Sequence, residues 1–124
     1  MAIVPCSVGS LGAVATGAHQ HLVHRAADVT LKEKRPLVLV VRETPLSAIH
    51  LRNMLTLAEM GAVILPPIPA FYNQPQSIDD IVSHLVARVL DQFGLEAPFA
   101  RRWDGKLKRS KRPARQTRGT GRKP

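Results

Sequence analysis

Two uninterrupted apolar runs, Leu37-Val38-Leu39-Val40-Val41 and Ala62-Val63-Ile64-Leu65, restrict this fold more than any other feature of the sequence. A run rich in β-branched residues and without polar alternation is a strand buried on both faces. Between the two runs, residues 46–60 have helical spacing, with Leu51, Leu55 and Ala58 expected on one face and Gly61 at the C′ position. Apolar strands alternating with amphipathic helices give a parallel α/β sheet with right-handed crossovers.

The rest of the chain extends the same pattern. Ala2-Ile3-Val4-Pro5 reads as the end of a buried strand with no lead-in, and Cys6-Ser7-Val8-Gly9-Ser10 as a loop able to present N–H groups to an anion. A helix is expected to start in residues 11–18, weakened by Gly12 and Gly17. Leu22, Val23, Ala26, Val29 and Leu31 predict another, ending at the cations Lys32 to Arg35. The Pro-rich segment 66–75 is a loop. Ser77, with Asp80 three residues on, caps a last helix that runs to Phe93 and stops at Gly94. Complete doubly wound sheets have about five or six strands. Only three are legible here, so the chain reads as a half-domain with its N-terminal half missing: a folded part over 1–104 and a disordered basic tail over 105–124.

Charge sharpens that division. The chain carries 18 Lys and Arg against 9 Asp and Glu, net +9. Residues 106–124 hold nine of the cations and no acid, so the rest is neutral and no basic globular face is implied. A single cysteine, Cys6, excludes a disulfide framework and fits a reducing, cytoplasmic setting. No apolar run approaches the roughly 18 residues of a membrane span.

In open parallel sheets ligands bind beyond the carboxyl ends of the strands. Three segments should meet there: the 6–10 loop with its hydroxyls, Arg42-Glu43-Thr44-Pro45 with a guanidinium and a carboxylate, and the 66–75 loop with the Tyr72 phenol. That inventory suits an anionic, planar ligand, unless Arg42 and Glu43 pair with neighbouring helices instead. His19, His21 and His24 suggest a metal cluster, but helical spacing is expected to separate His21 from the other two, and no metal is expected. Cys6 reads as a small buried residue rather than a nucleophile. His50 and His84 read as helix-surface residues, and Arg88 as a solvated partner of Asp91 or His84.

The segments Pro5-Cys6-Ser7, Arg25-Ala26-Ala27-Asp28-Val29, Arg42-Glu43-Thr44-Pro45-Leu46 and Pro66-Pro67-Ile68-Pro69-Ala70-Phe71-Tyr72 together resemble the flavin prenyltransferase family of the UbiX type, formerly called aromatic-acid decarboxylases. The likeness runs in order from about Ile3 to Phe93. It implies a flavodoxin- or Rossmann-like fold and transfer of a dimethylallyl group from dimethylallyl phosphate to reduced FMN, without a metal. The product, prenylated FMN, serves a separate UbiD-type decarboxylase, as in ubiquinone synthesis. The family assembly is typically a homo-dodecamer. Carried over by motif, Ser7, Val8, Gly9, Ser10 and Arg42 match FMN-contacting positions, and Glu43 the carboxylate that handles protons. Arg25, Lys32, Tyr72 and Arg88 match residues around the dimethylallyl phosphate, where cations and a phenol stabilise a departing phosphate.

Four departures accompany the likeness. The family's opening strand, Gly-rich phosphate loop and further early strands have no counterpart here, so the chain alone is expected to bind FMN poorly and to be inactive. Gly9 and Ser10 stand where Lys or Asn and Thr are common, and Gln20-His21 replaces a better helix cap. The basic tail has no family counterpart. It admits an alternative reading, a non-catalytic remnant that binds nucleic acid, or simply a solvated extension. A related cysteine-peptide decarboxylase is disfavoured by Tyr72 and the Arg42–Pro45 segment.

Overall fold

Serines set where three of the helices begin. Ser7, Ser47 and Ser77 each hold extended backbone, and each side chain accepts a hydrogen bond from the N–H three residues on, at Ser10, His50 and Asp80. Each thereby satisfies one of the N–H groups that a helix start leaves without a partner. The computed structural model describes residues 1–100, and the expected basic tail at 105–124 lies outside the described residues. In chain order the elements are β1 (Ala2–Cys6), α1 (Val8–Ala15), α2 (Leu22–Lys32), β2 (Val38–Val41), α3 (Ala48–Glu59), β3 (Val63–Ile64), a 3-10 turn (Phe71–Asn73) and α4 (Ile78–Asp91). Gly61 and Gly94 follow α3 and α4 with φ of 100° and 67°, the left-handed conformation that ends a helix most easily in glycine.

The described strands form one parallel sheet in the order β1-β2-β3, as the strand–helix alternation predicts. Ala2 pairs with Val38 and Ile3 with Leu39, after which the register shifts so that Cys6 faces Val41. On the other side Val38 pairs with Val63 and Leu39 with Ile64. All four residues of β2 are buried. Leu37, Leu39 and Val41 join Ile3, Cys6, Leu11, Val14, Ala27, Leu31, Leu57 and Ala62 in the core. Val38 and Val40 alternate to the opposite face and are buried as well. The central strand is thus covered on both sides, as its unbroken apolar run requires.

Several expectations are corrected at the edges. Among the described residues β1 pairs with a strand on one side only, and just Ile3 and Cys6 of it are buried, while Val4 is 62% exposed. β3 is two half-buried residues rather than a full core strand. Residues 8–10 are the first turn of α1 rather than loop, because the Ser7 cap starts the helix at once. α2 buries His24, Ala27 and Leu31, leaving Leu22 and Val23 exposed. α3 packs through Leu57, with Met54 partly buried, so Leu51, Leu55 and Ala58 face outward. α1 and α3 meet at Gly12, where a Cβ would lie 3.4 Å from Asn53 Nδ2, an ordinary contact distance.

Candidate functional site

Because the three strands are parallel, their carboxyl ends share one edge. The Arg42 N–H donates to the Cys6 carbonyl at 3.2 Å, which fixes the start of α1 beside the Arg42-Glu43 segment. At that start the Ser10 N–H donates to Ser7 Oγ at 3.1 Å, and the Ser7 hydroxyl donates to Ser10 Oγ at 3.2 Å. The N-terminal turn of a helix carries partial positive charge and N–H groups that favour an anion. A Cβ on Gly9 would meet only Ser7 Oγ, at 3.8 Å, so a flat ligand can approach the backbone closely there. Ser7 and Gly9 are exposed, and Val8 and Ser10 half-buried.

Arg42 is exposed and makes no ion pair with a described residue. Glu43 is half-buried, and its Oε1 accepts the N–H of Thr44 at 3.1 Å. The expected alternative, in which these two pair with neighbouring helices, does not occur among the described residues. Beneath them lies Cys6, fully buried; desolvation pushes its thiol above the ordinary value, which disfavours the thiolate a nucleophile would need.

A second part of the edge lies around β3. An open cleft of about 450 Å³ is lined by Leu65, Ile68, Tyr72, Leu85, Arg88 and Gln92, among others, and so brings the Tyr72 phenol and the Arg88 guanidinium onto one surface. Arg88 also reaches Asp91 Oδ2 at 3.1 Å, the pairing expected for a helix-surface arginine. A smaller pocket of about 80 Å³ between the 3-10 turn and α4, lined partly by Asn73, His84 and Phe99, is far below the roughly 300 Å³ of a ligand pocket.

The remaining phosphate candidates separate along α2. Arg25 lies in its first turn, at the end where His24 meets Ser10, and shares Asp28 Oδ2 with His19 Nε2, each at 3.2 Å. Lys32 is the last residue of α2. That end of the helix adjoins the amino edge of the sheet, where Thr30 contacts Met1 and the Met1 ammonium donates to the Pro36 carbonyl at 2.7 Å. Seven helical residues span roughly 10 Å. Within one chain, then, Arg25 is near the carboxyl edge and Lys32 is not; Lys32 pairs with Glu33 at 3.4 Å.

The histidines differ from expectation. His21 is the residue before α2, in extended backbone, so helical spacing does not apply to it; its ring lies 5.3 Å from that of His24, while His19 goes to Asp28. As its identity predicts, His21 makes no side-chain cap. Among the described residues no group of three His, Cys, Asp or Glu is placed to hold a metal ion. His50 closes a capping box with Ser47, and His84 Nδ1 lies 3.2 Å from Asn73 Nδ2, so both are structural anchors rather than free surface residues. The sequence singled out His24 only for a metal cluster, not for the carboxyl edge. This residue is 4% exposed, and its Nε2 lies 3.3 Å from Ser10 Oγ. A histidine at i, i+3 and i+7 spacing with Ala27 and Leu31 is the one signal that it faces inward.

Comparison with known proteins agrees with this architecture. Residues 1–90 match the family profile described as Flavoprotein. A probable UbiX-like flavin prenyltransferase from a Streptomyces species is 66% identical over 105 residues, covering 85% of this chain and 52% of the relative. The flavin prenyltransferase UbiX of Pseudomonas aeruginosa is 59% identical over 103 residues, covering 83% of this chain and 49% of its own. A UbiX crystal structure in complex with FMN and dimethylallyl pyrophosphate superposes with a TM-score of 0.84 at 53% identity, over 86% of this chain and 56% of that one. A dodecameric FMN-dependent UbiX-like decarboxylase from Escherichia coli gives 0.82 at 62% identity, over 85% of this chain and 57% of that one. The chain spans about half the length of the curated relatives it matches. With a matching profile over most of its length and a parallel sheet that superposes on such folds, the chain belongs to the flavoprotein family.

Proposed function

We propose that this chain carries the flavin-facing and prenyl-phosphate-facing parts of a flavin prenyltransferase, which transfers a dimethylallyl group from dimethylallyl phosphate to reduced FMN. The observation that carries the reading is the Cys6–Arg42 hydrogen bond, which sets hydroxyls, a helix N-terminus, a guanidinium and a carboxylate side by side. When bound, reduced FMN supplies the electron-rich ring that accepts the prenyl group. Ser7, Val8, Gly9, Ser10 and Arg42 would hold FMN: the donors of the first turn and the guanidinium suit its oxygens, and Gly9 leaves room for its plane.

Glu43 is the proton-handling group. Its carboxylate is held by the Thr44 N–H and stays partly open to solvent, so it can take a proton from the ring and release it. Tyr72 and Arg88, lining one cleft, would receive the phosphate of the prenyl donor. Arg25 and Lys32 belong to the same proposal, with Lys32 acting from the amino edge toward another copy of the chain in a homo-oligomer. The product would pass to a UbiD-type decarboxylase in the cytoplasm. Residues 1–104 form the flavoprotein part under this reading, and 105–124 a basic extension. The function is tested by joining residues 1–124 to the amino-terminal part of the Streptomyces relative and supplying reduced FMN and dimethylallyl phosphate without oxygen. Flavin heavier by one dimethylallyl group is the expected product; a folded chimera that binds FMN and leaves it unmodified contradicts the proposal.

A further inference from the structure

His24 is the one buried polar residue of the described core that the reaction does not use. Its Nε2 sits 3.3 Å from Ser10 Oγ, and its Nδ1 is buried with no hydrogen-bond partner among the described residues. A neutral imidazole has one N–H and one bare lone pair. If Nδ1 carried the proton, a buried donor would be left unsatisfied, the rarer and less tolerated of the two orphans. If Nε2 carries it, only a lone pair is orphaned and Nε2 donates to Ser10 Oγ.

The second tautomer has a consequence at the start of α1. Ser10 Oγ already accepts the Ser7 hydroxyl at 3.2 Å. A hydroxyl oxygen has two acceptor sites and one proton. With Ser7 and His24 filling both acceptor sites, the Ser10 proton can only be donated outward, toward the ligand face of the first turn. We propose that His24 is a positioning residue which, by donating Nε2–H to Ser10 Oγ, holds the Ser10 hydroxyl as a donor to FMN. This rests on the reading of that face as the flavin site.

The tautomer is read directly from the nitrogen shifts of the His24 imidazole in the isotope-labelled chain, where Nε2 should be protonated and Nδ1 bare; the reverse overturns the proposal. The coupling is read from FMN titrations of the wild-type chain, Ser10→Ala, His24→Leu and the double variant, followed by NMR so that weak binding is measurable. Each single change should weaken FMN about threefold to tenfold, the effect of one hydrogen bond. His24→Leu should add nothing further in the Ser10→Ala background. His24→Gln, whose amide N–H can replace Nε2–H, should restore affinity even where thermal stability is lowered. FMN binding that is unaffected by His24→Leu, or additive losses in the double variant, overturns the role of His24 while leaving the flavin site intact. Absence of any FMN binding by a folded wild-type chain would instead remove the site reading itself.

Discussion

The Arg42 N–H and the Cys6 carbonyl, 3.2 Å apart, join the ends of the first two strands and put the Ser7 cap next to the Arg42-Glu43 pair. Residues 35 positions apart in sequence thereby become one surface. Arg42→Ala leaves this backbone bond intact and removes only the guanidinium. It should therefore weaken FMN about tenfold or more, as for a charge-assisted hydrogen bond, with little change in thermal midpoint. Ligand titration alongside thermal unfolding separates the two effects.

Glu43→Gln tests the proton role. The amide keeps an acceptor for the Thr44 N–H but cannot take a proton. In the active chimera it should lower turnover by about a hundredfold or more with FMN affinity within about threefold. Equal losses in both would assign Glu43 to binding alone.

The buried Cys6 makes stability depend on pH in one direction. Burial raises the folded-state thiol above its ordinary value, so the folded chain holds this proton longer than the unfolded chain does. The contribution is fully present below the ordinary thiol range and is lost as pH rises through it toward the folded value. Chemical denaturation between pH 7 and about 10 should show stability falling, and Cys6→Ala should flatten that fall. Native Cys6 should also resist alkylation that goes to completion in denaturant.

The orientation of α3 predicts a contrast. Leu57→Ala opens a cavity in the core and should cost about 2–5 kcal/mol. Leu55→Ala, on a residue 58% exposed, should stay within about 0.5 kcal/mol for the isolated chain. Urea midpoints of the two variants decide it, and a reversed order would mean that α3 is rotated.

Much of this fold is written in the sequence. The unbroken run at 37–41 identified the central strand because a strand buried on both faces cannot tolerate polar alternation. Ser77 and Gly94 marked the ends of the last helix through local chemistry alone. The faces of α2 and α3 were not legible, because both helices carry apolar residues around most of their circumference. Which stripe turns inward was settled by neighbours: Leu57 of α3 joins the core with Leu11 and Val14 of α1. For the site, the order of segments along a parallel sheet was enough to bring Ser7–Ser10 and Arg42-Glu43 together. The separation of Arg25 from Lys32, and the burial of His24 behind Ser10, depend on how α2 lies across the sheet, which no local pattern encodes.

Under the proposed function the carboxyl edge receives FMN through the start of α1 and the end of β2. The most direct measurement is an FMN titration of the isotope-labelled chain, with each backbone amide followed by NMR. Shifts should concentrate at residues 7–10 and 42–44, with the amides of Glu33 and Lys34 at the amino edge unmoved. Shifts centred on the amino edge, or none at residues 7–10 and 42–44 when FMN binds, would contradict this reading.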